Sequence, residues 1–124
     1  MPSNRTLSSC PDSPNCVSSL ASDAKHYVAP LQYKGGLNEA GELLRSILRS
    51  MQRMRIVVDE PTYIHAEFTS ALFRFVDDVE FLFAEPEKVI HVRSASRVGH
   101  YDFGVNHNRV ERIRNLLSGR HAMR

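Results

Sequence analysis

The stretch from Thr62 to Arg97, TYIHAEFTSALFRFVDDVEFLFAEPEKVIHVRSASR, decides the fold. From Thr62 to Ser70 it alternates, with Ile64, Ala66 and Phe68 on one side and Tyr63, His65, Glu67 and Thr69 on the other. Val79, Phe81 and Phe83 then alternate against Asp78, Glu80 and Leu82. Val89 to Arg97 forms a third run. Its apolar side carries Ile90 and Val92, then Ser94 and Ser96, and its polar side carries His91, Arg93 and Arg97. A period of two over runs this short is the pattern of strands with one buried face. Glu85-Pro86-Glu87-Lys88 reads as the hairpin loop before the third run. Ala71 to Asp77 reads as a turn or as an extension of either flanking strand.

Upstream, Ile56-Val57-Val58 is a β-branched run ended by Glu60-Pro61. Before it, Leu37 to Met51 has helical spacing, with Leu37, Ala40, Leu44, Ile47 and Met51 on one stripe. Gly41 weakens that helix by about 1 kcal/mol relative to alanine. Arg45, Arg49 and Arg53 read as a solvated basic row on its other side. Gly35-Gly36 breaks the chain, and His26 to Tyr33 reads as a first strand. Downstream, Asn106 or Asn108 is a suitable N-cap for a final helix. Val110, Ile113, Leu116 and Leu117 give that helix its buried stripe, and Gly119 gives it a stop. The expected fold is therefore α+β in two layers: a curved antiparallel sheet of about five strands, ordered β-α-β4-α, with two helices on one face. That order is similar to TBP-like or helix-grip domains, an analogy of fold that says nothing of activity.

The chain has 124 residues, suited to a single domain. Residues 1–25, rich in Ser, Pro, Asn and Asp, read as an irregular arm, and 26–120 as the domain. A net charge of +2 gives no electrostatic support to nucleic-acid binding. No apolar run is long enough to span a bilayer, so no membrane insertion is expected. Leu7-Ser8-Ser9-Cys10 looks like the motif that precedes a lipidated cysteine, but no apolar segment stands ahead of it. The expected location is the cytoplasm, with an exported or lipid-anchored protein as the alternative if the true start lies upstream.

Cys10 and Cys16 enclose five residues with two prolines. A small disulfide loop, two reduced thiols, and a metal or catalytic role all remain open, and reduced thiols are the default in a cytosolic protein. Two thiols are too few for a structural zinc site. Three ordered stretches resemble a known family. CPDSPNCVSS from Cys10 to Ser19 resembles its opening signature, and FVDDVEF from Phe75 to Phe81 its middle motif. RSASRVG from Arg93 to Gly99, followed by Asp102, Gly104, Val105, Asn106 and Arg109, resembles its closing motif. The family is that of domain of unknown function 1499. The resemblance spans about residues 9–117 and implies no activity. Many members look membrane-anchored or exported behind an apolar segment, a pattern from which this chain departs.

The closing motif supplies the candidate site: Arg93, Ser94, Ser96, Arg97, Asp102, Asn106 and Arg109. Two accounts fit it. In one, Arg93 and Arg97 share a strand face with Glu67, Asp78 and Glu80 and are neutralised across strands, while Arg109 caps or pairs with Asp102. In the other, the guanidinium groups, the serine hydroxyls and the last helix's N–H groups hold an anion. Asp77 and Asp78 point to opposite faces if both lie on a strand. His65 and His91 are separated by the intervening strand, too far apart to share a zinc ion unaided. No phosphate loop, nucleophile elbow or paired CxxC is present, and no metal or cofactor is expected. The first functional expectation is a non-enzymatic binding or accessory module for an anionic small molecule or acidic protein segment. The alternative is an enzyme using Asp77 or Asp78, His65 or His91 and the arginines in a sheet-face pocket. A purely structural interaction protein is a third possibility, and the oligomeric state is not read from the sequence.

Overall fold

The alternating stretch forms the middle of one antiparallel sheet. A computed structural model of the chain describes residues 5–99 and 104–122. In chain order its elements are β1 (Cys16–Ser18), β2 (Leu31–Gln32), α1 (Leu37–Arg49), β3 (Met54–Glu60), β4 (Tyr63–Thr69), β5 (Val76–Ala84), β6 (Val89–Ser96) and α2 (Val105–Ala122). The sheet order is β1-β6-β5-β4-β3, with β2 also on β6. All five pairings between strands are antiparallel, beside one isolated parallel bridge from Ser18 to Tyr27, so the α+β class and the meander are as the alternation predicts.

Register decides which side chains meet. Ile64, Phe81 and Val92 form one row across β4, β5 and β6. Ala66, Val79 and Ser94 form the next, and Phe68, Asp77 and Ser96 the third. These rows face the helices. α1 packs Ala40, Leu43, Leu44, Ile47 and Leu48 onto them, and α2 packs Val110, Ile113 and Leu117. Burial of each large side chain contributes roughly 1.5–3 kcal/mol. The opposite face carries Glu67, Asp78 and Ala95 in one row and His65, Glu80 and Arg93 in the next.

α1 begins at Gly36, whose N–H donates to the Glu39 carboxylate at 3.2 Å. A Cβ at Gly41 would stand 2.9 Å from Arg45 Nη1, so the flexible guanidinium would have to shift. The bare backbone lets the Arg45 guanidinium lie along the helix and reach Asp59 at 2.7 Å and the Glu60 carbonyl at 3.3 Å. Arg45 is therefore part-buried and paired, contrary to the solvated row expected. Arg53 lies beyond the helix, in a left-handed conformation with φ 55.

The N-terminal arm is the main correction. Residues 1–25 were expected to be irregular, yet Asn15 to Ser19 are buried and β1 is part of the sheet. Cys16 pairs with Ala95 and Ser18 with Arg93. The expected strand from His26 to Tyr33 shrinks to Leu31–Gln32, because β1 already occupies the other half of the β6 edge. His26 instead closes a turn, with its N–H and its Nδ1 both on Asp23 Oδ2. α2 also begins before either expected cap. Gly104, at φ 80, accepts the Asn108 N–H at 2.9 Å, which leaves Asn106 inside the first turn. Gly119 does not end α2, which continues to Ala122, since one helical glycine costs only about 1 kcal/mol.

Candidate functional site

The predicted site residues do not converge. β6 alternates, so Ser94 and Ser96 face α2 while Arg93 faces the outer side with the Arg97 guanidinium beyond it. Arg109 and Asn106, on α2, lie on the helix side. Asp102 lies outside the described residues. Two polar clusters result, with the sheet between them.

The helix-side cluster is closed on itself. Arg109 donates through Nη2 to Asp77 Oδ2 at 2.8 Å, and through Nη1 to Asn106 Oδ1 at 2.8 Å and Ser94 Oγ at 3.2 Å. Its guanidinium carbon lies 4.8 Å from the centre of the Phe68 ring, a favourable cation–π distance. Ser94 Oγ donates to Asn106 Oδ1 at 2.6 Å. Asn106 Nδ2 donates to the Asn15 carbonyl and to Ser96 Oγ, each at 3.1 Å. Asn15 in turn donates to the Gly99 carbonyl at 2.6 Å. The Arg109 side chain is only 13% exposed. The cluster ties β1, β5, β6 and α2 together, and its donors are spent on the protein itself. Among the described residues, Asp77 is the carboxylate that Arg109 holds. The alternation leaves Asp77 in a turn or in an extension of a flanking strand, and the extension, which β5 adopts, is what turns it toward the helices.

The outer cluster is a chain of ion pairs. Arg97 grips Asp78 through Nε at 2.7 Å and Nη2 at 2.9 Å, and Nη2 also reaches Glu67 at 2.5 Å. Arg55 donates to the other oxygen of Glu67 at 3.2 Å. His65 Nε2 lies 2.7 Å from Asp78 Oδ1. The hydrogen bond from Arg97 holds the Asp78 carboxyl below its ordinary range, with His65 adding to the effect. Arg97, followed by Arg55, does the same for Glu67. Arg97 is in turn held more firmly protonated by Asp78 and Glu67. Its side chain is 47% exposed, and Nη1 makes no hydrogen bond to the described residues.

Arg93 sits one row further along and is largely covered. It lies 3.7 Å from Glu80 and donates to the Ser9 carbonyl at 3.3 Å, while its Nε is buried without a hydrogen-bond partner among the described residues. The segment that covers it crosses the outer face. Arg5 pairs with Glu60 at 2.6 Å and stacks over Tyr63 at 4.6 Å. Tyr63 donates to Glu80 at 2.5 Å, and burial followed by this carboxylate pushes its hydroxyl pKa up. A Cys10–Cys16 disulfide closes the segment before β1. The reduced, metal-binding and nucleophilic roles left open for these cysteines therefore do not describe this structure. His91 Nδ1 lies 3.1 Å from Ser19 Oγ, which accepts the Val92 N–H, so His91 and His65 serve different partners. Among the described residues no three His, Cys, Asp or Glu side chains group to hold a metal, and no helix is long and apolar enough to cross a membrane.

A comparison with curated proteins finds no match. The family model described as "Protein of unknown function (DUF1499)" matches residues 6–117.

Proposed function

This chain belongs to the DUF1499 family, and from its geometry we propose a non-enzymatic binding module that takes an anionic small molecule or acidic protein segment at Arg97 and Arg55. The observation that carries this reading is Arg97 itself. Asp78 and Glu67 brace it through Nε and Nη2, its side chain is half-exposed, and Nη1 makes no hydrogen bond to the described residues. A guanidinium already held in one orientation loses little rotamer freedom when it binds, so its exposed edge is a preorganised donor. Arg55 is exposed beside it, with one nitrogen on Glu67. The same carboxylates repel an anion, so the interaction is weak and salt-sensitive. Of the seven residues singled out in the sequence this reading keeps Arg97 and adds Arg55, since Arg109, Ser94, Ser96 and Asn106 bond one another on the helix side and Arg93 is covered, while Asp102 lies outside the described residues.

The test is calorimetric titration of the full chain with inorganic phosphate, citrate and a poly-glutamate peptide. Binding of at least one, weakened severalfold by Arg55→Ala and by added salt, supports the module. No heat of binding from any of them, or titrations unchanged in Arg55→Ala, overturns it.

The enzyme alternative rests on the His65–Asp78 contact, since a carboxylate that orients an imidazole is a common general-base arrangement. It requires turnover that His65→Gln abolishes. A substrate panel without His65-dependent turnover removes it. The expected cytoplasmic location sits uneasily with a closed Cys10–Cys16 bridge, which favours the exported alternative because cytosolic thiol pools keep such pairs reduced. Thiol labelling of the protein recovered from cells separates the two.

A further inference from the structure

We propose that the tip of the β4–β5 hairpin docks on an anionic lipid surface. This surface is independent of the Arg55–Arg97 reading. Beyond the last pair of the ladder, Thr69 and Val76, the chain turns through Ser70 to Phe75. All six residues are exposed, and three of them are large and apolar: Leu72 at 79%, Phe73 at 67% and Phe75. Val98, one residue beyond the Arg97 N–H that bonds the Val76 carbonyl, adds a fourth exposed apolar side chain at the same end. Isolated exposed apolar residues are ordinary, but a run of large ones on a soluble fold marks an interaction site.

The tip is held in shape. The Ser70 N–H donates to the Phe75 carbonyl at 2.8 Å, and Ser70 Oγ accepts the Phe75 N–H at 2.9 Å. Arg74, between the two phenylalanines, takes a left-handed backbone at φ 60, and the rings of Phe73 and Phe75 stack at 5.6 Å. A non-glycine residue pays conformational strain there, and the fold keeps it with both rings outward.

Charge selects the occupant. Antiparallel pairing brings the start of β3, the end of β4, the start of β5 and the end of β6 to one edge. Arg49 at the end of α1, Arg53 before β3 and Arg74 in the tip have no carboxylate partner among the described residues. The carboxylates at this edge are taken: Glu67 by Arg55 and Arg97, Asp78 by Arg97 and His65, Asp77 by Arg109. Apolar side chains that project past a rim of uncompensated arginines match the layering of a bilayer surface, with acyl chains below anionic headgroups. Area argues against a second copy of the chain. Two phenylalanines and a leucine present on the order of 500 Å², less than the roughly 800 Å² per partner of a stable protein interface.

The test is co-sedimentation of the full chain with vesicles of equal parts phosphatidylcholine and phosphatidylglycerol, against phosphatidylcholine alone. The mixed vesicles should sediment the protein. Phe73→Ser combined with Phe75→Ser should abolish sedimentation while leaving the thermal transition in place, because both side chains are exposed. Arg74→Glu should weaken binding at least fivefold, on the mixed vesicles only. No sedimentation by the wild-type chain, or equal sedimentation of the double serine variant, overturns the proposal. So does a concentration-dependent dimer that the double variant returns to monomer, since a second copy would then cover the tip.

Discussion

Asp77 and Asp78 are consecutive residues of β5, yet Asp77 faces α2 and Asp78 faces away from it. Each holds an arginine, at 2.8 Å for Arg109 and 2.7 Å for Arg97. The Arg109 pair lies between helix and sheet, with Nη1 on Asn106 and Ser94. The Arg97 pair stands at the rim, open to solvent and screened by salt. Identical chemistry one residue apart thus does different work: the first joins the helix to the sheet, and the second leaves one guanidinium nitrogen without a hydrogen bond to the described residues. What separates them is dielectric surroundings rather than residue type.

The sharpest way to break this contrast is to remove one member of the helix-side pair. Asp77→Ala should destabilise the protein by about 3 kcal/mol or more, because it leaves Arg109 buried without its counter-charge. Denaturant unfolding measures this, and Asp77→Ala combined with Arg109→Met should recover part of the loss. A helix-side loss no larger than that of an outer-face variant would erase the distinction. Next in size is the Cys10–Cys16 bridge. Its short loop should contribute about 2 kcal/mol, read as the difference in denaturant midpoint between the oxidised protein and the double serine variant. Arg97→Gln should have a smaller effect, one that shrinks further as salt is added. A loss that ignores ionic strength would mean the outer pairs are not solvent-screened. The smallest effect is the acid limb. Glu67 and Asp78 have folded pKa values below their ordinary 4.5 and 3.8. Their stabilisation is therefore complete above those ordinary values and is lost as the pH falls through the depressed folded ones. Arg97→Gln should flatten that acid limb, and an unchanged slope would detach the two carboxylates from it.

Much of this architecture was legible because burial on one face leaves a period of two. β4, β5 and β6 show it, and so does the parity that sends Arg93 and Ser94 opposite ways. β1 was not legible. Cys16, Val17 and Ser18 are all buried, so nothing alternates, and their partners in β6 lie far along the chain. The helix-side cluster was half legible for a related reason. Ser94, Asn106 and Arg109 were singled out as polar residues near one another in sequence. Asn15 and Asp77, which complete the cluster, reach it only through sheet register. The outer network was the more accessible, since Glu67 and Asp78 lie on strands and Arg97 directly follows one, and the alternation already placed them on one face.

The shared edge of β6 also sets an order of assembly. β1 and β2 are early in the chain, yet both must wait for β6, the last strand, before any ladder can receive them. During synthesis Cys16 has no sheet partner until Ala95 has emerged, so the first part of the chain has only local pairing, such as Ser18 with Tyr27, while the β3–β6 meander forms through short-range contacts. The Cys10–Cys16 loop joins residues six apart and needs no sheet in order to close. It can shape the incoming segment in advance, so that the final step is the docking of a preformed loop rather than the capture of a loose end.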